Sequence, residues 1–176
     1  AEIREKYGCF TPISMETTYY DTFDLKLALH RWTLRRRMEN GVSVCTFKRP
    51  HDNGGRGEWE TEESTIERAI PKLCKLGGPE TLQQLAENRL QAICGARFTR
   101  KARAIDIGAA VVELALDQGI LIGGGREISL YEMEIELKEG SVEAAAAYAE
   151  HLAKKYGLVP EQKSKFRRAL DLTKEN

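Results

Sequence analysis

The sequence lacks the features that would assign it to several large functional classes. Lys+Arg and Asp+Glu both number 27, so a net charge of zero creates no long-range field for nucleic acid or an anionic membrane. No apolar run is long enough to span a bilayer, and no internal repeat is present. With 176 residues and 41% hydrophobic residues, the chain is expected to form one domain, 1–176, as a monomer or homodimer.

Cysteine occurs, but without the spacing of a metal or redox motif. The four cysteines are Cys9, Cys45, Cys74 and Cys94. No two form a Cys-x-x-Cys pair and no histidine is near them in sequence, which disfavours a zinc site. Because no secretory signal is recognisable either, we expect a cytoplasmic protein whose reduced cysteines pack as small hydrophobic residues.

The strongest pattern in the sequence is an acidic alternation at residues 131–138. Glu132, Glu134 and Glu136 alternate with apolar residues, which predicts a strand with all three carboxylates on one face. Like charges about 6.6 Å apart repel by roughly 2–3 kcal/mol at an effective dielectric of 20, before screening. The face either is solvated or binds a cation, and its single sign favours the cation.

A basic hairpin is predicted around Asn40-Gly41. Strand-like runs at 32–37 and 42–49 flank this dipeptide, which is typical of a two-residue β-turn. Arg35 and Arg37 then share one face, and Lys48 can lie beside them across the turn. The alternative is a hairpin with a solvated basic face.

Further strands are predicted from shorter patterns. Residues 2–7 fit a strand or a frayed helical turn, and 15–22 and 56–62 fit strands. Glu58 and Glu60 share a face of 56–62, although Glu62 extends the run and a solvated face is the alternative. Residues 97–106 and 109–117 predict a hairpin around Gly108. Its second arm places Asp117 where the carboxylate could either pair with arginine or bind metal.

The helices are predicted from capping residues and breakers. A capping box at 64–67 opens a helix that Pro71 should kink or divide. A second helix is predicted from Pro79 to Cys94, with Gly95 as its stop. Ser141 should cap an alanine-rich helix ending at Gly157, and a last short helix follows residue 160.

Up to eight strands in hairpin-connected pairs predict an α+β fold. Eight antiparallel strands can close into a barrel, and helices with apolar stripes can cover its outside. The charged faces would then line a tunnel with basic and acidic walls. Such a tunnel suits a polyanion that carries divalent metal ions, since arginine and lysine bind phosphate and carboxylates bind Mg²⁺ or Mn²⁺.

In the order and spacing of its motifs, the chain resembles the CYTH domains, the triphosphate tunnel metalloenzymes. The resemblance covers roughly residues 16–170. The motifs are Tyr20-Asp21-Thr22, Leu34-Arg35-Arg36-Arg37, Thr46-Phe47-Lys48, Arg56-Gly57-Glu58-Trp59-Glu60, Arg100 with Lys101 and Arg103, Leu116-Asp117-Gln118-Gly119, Glu132-x-Glu134-x-Glu136, and Ser164-Lys165-Phe166-Arg167-Arg168.

The resemblance implies an eight-stranded antiparallel tunnel that binds a triphosphate and a metal. The residues implied for substrate binding are Lys6, Arg35, Arg37, Lys48, Arg100, Arg103, Lys165 and Arg168. Those implied for Mg²⁺ or Mn²⁺ are Glu2, Glu58, Glu60, Glu132, Glu134 and Glu136. Glu134, Glu136 and Lys165 are implied to be catalytic.

The N-terminus departs from the family pattern of Glu-x-Glu-x-Lys followed by a helix. Arg4 stands at the second glutamate position, and few residues separate this segment from Tyr20. The resemblance therefore implies a first strand that is shifted, truncated or partly missing from this sequence.

These observations predict metal-dependent hydrolysis of a small triphosphate, first of all inorganic tripolyphosphate. A divalent metal would bridge phosphate oxygens or lower the pKa of the attacking water. Three alternatives stay open: class IV adenylyl cyclase activity, thiamine triphosphatase activity, and a binding module that does not turn the triphosphate over.

Overall fold

The computed structural model describes residues 10–50, 56–87 and 89–174. Within these ranges, seven strands form one antiparallel sheet in the order β4-β3-β2-β1-β5-β6-β7. The strands are β1 (Thr11–Asp21), β2 (Thr33–Glu39), β3 (Val42–Pro50), β4 (Arg56–Glu62), β5 (Gln91–Asp106), β6 (Ala110–Gly123) and β7 (Arg126–Gly140). The predicted α+β class with a large antiparallel sheet is confirmed.

The described sheet is open, with β4 and β7 at its edges. The predicted eight-stranded barrel is therefore not confirmed by the strands that the structure describes. The predicted first strand at residues 2–7 lies outside the described ranges.

Five helices accompany the sheet in the described part of the chain. They are α1 (Lys26–Leu29), α2 (Ile66–Lys75), α3 (Glu80–Ala86), α4 (Val142–Tyr156) and α5 (Lys165–Asp171). None of these helices has the length and hydropathy needed to cross a bilayer. Two of the helix predictions were confirmed and two need correction.

The predicted helix from Pro79 to Cys94 was wrong in its second half. Helix α3 ends at Ala86, and strand β5 begins at Gln91. Gly95 is not a helix stop but lies within β5, where a Cβ would come 2.6 Å from the Thr17 carbonyl oxygen of the neighbouring strand. Glycine is required there because the two backbones approach too closely for a side chain.

The start of α2 also differs from the prediction by one residue. Thr65, rather than Ser64, is the N-cap, and its side chain accepts a hydrogen bond from Arg68 N at 3.4 Å. Pro71 lies inside α2 without dividing it. In contrast, α4 is as predicted, since Ser141 Oγ accepts from Ala144 N at 3.1 Å and Gly157 ends the helix with φ of 64°.

The predicted hairpins are confirmed. Asn40 and Gly41 form the β2–β3 turn with φ values of 47° and 92°. Gly108 turns the chain between β5 and β6 with φ of 87°. Gly124 and Gly125 form the tight β6–β7 turn with φ values of 58° and 74°. Positive φ at both central residues matches the twist of antiparallel strands, which explains the glycines.

The outer face of the sheet carries two apolar clusters under helices. Under α2 and α3, Leu34 and Phe47 from the sheet pack with Leu73 and other apolar residues. Under α4, Val112 and Leu114 form a separate cluster. Each fully buried side chain of this size stabilises the fold by ~1.5–3 kcal/mol. As predicted, these helices cover an apolar face of the sheet, and Arg100, Asp117 and Glu132 lie on the other face, which we call the inner face.

Helix α5 packs on the inner face, unlike α2, α3 and α4. Its Ala169 and Leu170 belong to a cluster with Tyr19 and Phe98 from the sheet. Phe166 also contacts Tyr19, with ring centroids 5.0 Å apart. The charged residues of α5 are thereby held beside the charged residues of the sheet.

Candidate functional site

Three strands align charged side chains in one row on the inner face. Arg100 of β5 is paired with Asp117 of β6, which is paired with Glu132 of β7. Arg100 Nε donates to Asp117 Oδ1 at 2.8 Å, and its Nη2 donates to Oδ2 at 2.7 Å. This two-point contact fixes the plane of the guanidinium group, because the arginine fork matches the carboxylate geometry. Arg100 also binds Glu134, two residues further along β7.

Helix α5 adds two cations to this row. Lys165 Nζ lies 2.8 Å from Asp117 Oδ2 and 2.6 Å from Glu134 Oε1, and it also binds Glu132. Arg168 binds the other oxygen of Glu132. We call the group formed by Arg100, Asp117, Glu132, Glu134, Lys165 and Arg168 the ionic cluster. It contains three groups of each sign, so its formal charge is zero.

Burial and charge act in opposite directions on the pKa values of the ionic cluster. Burial raises the pKa of Glu134, but Lys165 and Arg100 outweigh it and lower the value to about 2. Burial lowers the pKa of Lys165, but the carboxylates of Glu134, Asp117 and Glu132 together outweigh burial, so the pKa is raised. Both groups are therefore charged at neutral pH.

Three carboxylates of the ionic cluster are close enough to bind one metal ion. Asp117, Glu132 and Glu134 each offer an oxygen, and these oxygens lie within 4.8 Å of one another. Carboxylate oxygens are the ligands that Mg²⁺ and Mn²⁺ prefer. In the described structure these oxygens are bound by Arg100, Lys165 and Arg168. A divalent ion fits the donor set, provided that the cations find other partners.

A second basic group lies on β2 and β3 of the same face. Arg35 and Arg37 alternate on β2, and Lys48 of β3 lies across from Thr33. Arg35 Nε is buried without a hydrogen-bond partner among the described residues. Burial and the neighbouring Arg37 lower the pKa of Arg35, and burial and Arg35 lower the pKa of Lys48. Arg37 binds Glu39, whereas the buried Nε of Arg35 would gain a hydrogen-bond partner from an anion.

The acidic residues of β4 lie beside this basic group. Glu58 is 2.7 Å from Lys48 Nζ and 3.9 Å from Arg35 Nη2. Glu60 accepts a hydrogen bond from Thr46 Oγ1 at 3.0 Å. The structure therefore places these two predicted metal ligands with cations and a hydroxyl, not with the three clustered carboxylates.

Two other predicted residues are separated from the ionic cluster. Glu136 shares the face of Glu134, but its partner is Lys138 at 3.0 Å. Arg103 is paired with Leu114 and lies on the opposite face of β5 from Arg100, since the two are three positions apart in an unbroken strand. The structure thus does not bring Arg103 to the predicted substrate site. Glu2 and Lys6 lie outside the described residues.

Asp117 is the member of the ionic cluster that the sequence did not assign. The alternating pattern of β6 was equally consistent with Asp117 pairing with an arginine and with Asp117 binding a metal. The structure shows the pairing with Arg100. The side chain of Asp117 is 0% exposed. The available signals were the Leu116-Asp117-Gln118-Gly119 motif and the acidic face that Asp117 shares with Glu113, and neither reveals which strand is its neighbour.

The Tyr20-Asp21-Thr22 motif has a structural role in this fold. Asp21 is buried and accepts hydrogen bonds from Leu27 N at 2.8 Å and Ala28 N at 2.9 Å. It thereby satisfies backbone donors at the start of the short helix α1, as a capping carboxylate does.

Comparison with known proteins supports the relation suggested by these residues. A CYTH domain sequence model matches residues 9–170. Over 137 residues the chain is 32% identical to the inorganic triphosphatase of Haemophilus influenzae, covering 77% of this chain and 39% of that protein. The chain thus spans about two fifths of the length of this relative.

Solved structures share the fold at low sequence identity. A candidate adenylyl cyclase from Hippeastrum with a dominant triphosphatase activity has a TM-score of 0.65 and 19% identity, covering 97% of this chain and 88% of that one. A candidate adenylate cyclase from Bacillus halodurans has a TM-score of 0.60 and 19% identity, with coverages of 94% and 88%. The family model spans most of the sequence, and we conclude that the chain belongs to the CYTH domain family.

Proposed function

We propose that the protein hydrolyses the terminal phosphoanhydride bond of a small triphosphate, with inorganic tripolyphosphate as the foremost substrate. The observation that carries the proposal is the ionic cluster, on the same sheet face as Arg35, Arg37 and Lys48. A face that presents both a basic group and clustered carboxylates has partners for phosphate oxygens and for their counter-ions. The inorganic triphosphatase of Haemophilus influenzae supports the choice of substrate.

The basic residues would bind and orient the phosphate chain. Arg35 is buried with an unpaired Nε, so a phosphate oxygen would satisfy a donor that otherwise costs free energy. Arg37 and Lys48 extend this binding surface along the sheet. Arg100, Lys165 and Arg168 would neutralise charge on the transferred phosphoryl group and on the leaving group as the bond breaks.

The carboxylates would hold the metal. We propose Glu132 and Glu134, assisted by Asp117, as the principal ligands, with Glu58, Glu60 and Glu136 available to further ions or waters. When bound, Mg²⁺ or Mn²⁺ would supply positive charge to the phosphate oxygens and acidify a nearby water. Glu134 and Glu136 would orient the attacking water, and Lys165 would hold the phosphate.

The proposal includes a closed form of the sheet in a cytoplasmic protein. An eight-stranded tunnel would surround the substrate and exclude bulk water, which strengthens each charge interaction within it. The charged inner face and the apolar clusters outside support this arrangement. We propose no nucleic acid or membrane partner, and a monomer or homodimer.

A substrate panel tests the proposal. Tripolyphosphate, ATP and thiamine triphosphate are each incubated with Mg²⁺ or Mn²⁺, and phosphate, pyrophosphate and cyclic nucleotide are measured. We expect phosphate release, fastest from tripolyphosphate. Formation of cyclic AMP and pyrophosphate from ATP would instead show a cyclase, and tight binding without any product would show a binding module.

A charge-neutral variant links that activity to the carboxylates. Glu134→Gln keeps the side-chain size but removes an anionic oxygen, and it should abolish metal-dependent phosphate release. Glu127→Gln is the matched control, because Glu127 pairs with Arg97 at 2.8 Å and both side chains are exposed. Full activity in Glu134→Gln would exclude the assigned metal site.

A further inference from the structure

The formal charges of the ionic cluster cancel, and among the described residues Arg168 Nε is its one buried polar atom without a hydrogen-bond partner. Its three cations and three carboxylates bind one another. Lys165 by itself contacts all three carboxylates, Asp117, Glu132 and Glu134. Lys165 and Asp117 are 10% and 0% exposed in their side chains, so water replaces a lost partner poorly. Any ligand must therefore compete with contacts that the protein already makes.

A triphosphate alone would bind this cluster at a cost. Phosphate oxygens can bind Arg100, Lys165 and Arg168, but the three carboxylates would then lose these cations as partners. They would also stand close to the negative phosphates, and a partly buried carboxylate without a partner is strongly destabilising. A metal ion alone has the converse problem, because it takes the carboxylates and leaves the three cations unpaired.

We infer that Asp117, Glu132 and Glu134 are internal competitors of the phosphate groups, so that the site binds a metal ion and a triphosphate together far more readily than either alone. This rests on the proposed function of the site. When both ligands are present, each cation exchanges a carboxylate for a phosphate and each carboxylate exchanges a cation for the metal. No partly buried charge is left without a partner.

Neutralising one carboxylate of the ionic cluster should change triphosphate affinity in opposite directions with and without metal. Neutralising Glu132 removes one competitor from Lys165 and Arg168. The variant Glu132→Gln should therefore bind a triphosphate more tightly than the wild type when no metal is present. It should bind the triphosphate less tightly when metal is present, because a metal ligand has been lost.

Isothermal calorimetry with an imido-bridged tripolyphosphate analogue, which cannot be hydrolysed at the bridge, tests this. The decisive measurement contains EDTA, since a metal also binds the analogue in free solution. We expect Glu132→Gln to raise the metal-free affinity by about fivefold or more, in the range of typical coupling between sites. Glu127→Gln removes the same charge outside the cluster and should leave the affinity unchanged.

The same measurements are made on a second carboxylate variant, Glu134→Gln, and with a second ligand, Mn²⁺. Glu134→Gln should show the same gain in EDTA, which guards against misfolding of one variant. In the wild type, the analogue should tighten Mn²⁺ binding, measured by electron paramagnetic resonance, and both variants should reduce this effect. Unchanged or weaker binding in EDTA for both folded variants would overturn the inference.

The two proposals fail differently. Phosphate release from tripolyphosphate by the wild type with Mg²⁺ is measured on the same preparation. If release persists while the gain in EDTA is absent, the internal competition is wrong and the hydrolase proposal stands. If the wild type neither binds the analogue with metal nor releases phosphate, both are wrong.

Discussion

At the scale of single residues, alternation along β5 decides which arginines lie in the ionic cluster. Arg100 lies in the ionic cluster, whereas Arg103 lies on the outer side of the same strand. Arg100→Ala should lower kcat/KM for tripolyphosphate by about 10²–10³, as for loss of a donor to developing charge. Arg103→Ala should remain within about twofold of the wild type in the same steady-state assay. Equal losses in both variants would contradict the register.

Burial also sets the reactivity of the cysteines. Burial raises the pKa of the Cys45 thiol to about 11 and that of the Cys94 thiol to about 12. With a pKa of about 11, only about one thiol in a thousand is ionised at pH 8, and the thiolate is the reactive form. Iodoacetamide should label these two residues in urea but not in the native protein, as read by peptide mass spectrometry. Rapid native labelling of either would show that its cluster opens.

At the scale of elements, the C-terminal helix depends on a glycine in the sheet. A Cβ at Gly123 would lie 2.1 Å from the Ala169 carbonyl oxygen of α5. Gly123→Ala should therefore displace α5 and with it Lys165, lowering stability by ~1–3 kcal/mol and activity by tenfold or more. Thermal unfolding and phosphate release report the two effects.

The control for this variant lies in the same turn. At Gly125 a Cβ meets nothing within 4 Å, and φ is 74°, a conformation that asparagine tolerates. Gly125→Asn should leave phosphate release unchanged and should not displace α5. Loss of activity in Gly125→Asn but not in Gly123→Ala would contradict the packing of α5.

Local signals in the sequence predicted some elements well. Asn40-Gly41 and Ser141 act through nearby backbone geometry, so their effects are readable without the tertiary structure. The segment from Leu90 to Cys94 was wrongly predicted to be helical, because a short apolar run fits a buried strand as well as a helix. The position of α5 could not be predicted either, since its charged residues are equally typical of an exposed helix.

At the scale of the whole molecule, ligand binding should stabilise the fold by mass action. Tripolyphosphate with Mg²⁺ at about 100 times the dissociation constant should add ~2.7 kcal/mol. For a domain of this size that corresponds to a rise of about 5–10 °C in the unfolding midpoint. Differential scanning fluorimetry measures the midpoint in four samples: with both ligands, with tripolyphosphate only, with Mg²⁺ only, and with neither. An unchanged midpoint with both would contradict binding to the folded state.

The sequence predicted the sign of charge on each strand but not how charges are matched across strands. The alternation at 132–136 and the arginines at 35 and 37 are each visible within one strand. The contact of Asp117 with Arg100 joins residues 17 positions apart, and that of Lys165 with Glu132 joins residues 33 apart. Such pairings depend on register and on the docking of α5, which pattern analysis does not determine.

The packing of α5 on the inner face should make loss of the proposed activity separable from unfolding of the sheet. The apolar clusters under α2 and α4 hold the outer face without any contribution from α5, which belongs to the third cluster. A helix of seven residues can detach at lower free energy than the sheet. Warming should therefore abolish phosphate release several degrees before far-ultraviolet circular dichroism reports loss of the strands, and cooling should restore it. Helix α5, which carries Lys165, should therefore detach before the sheet unfolds.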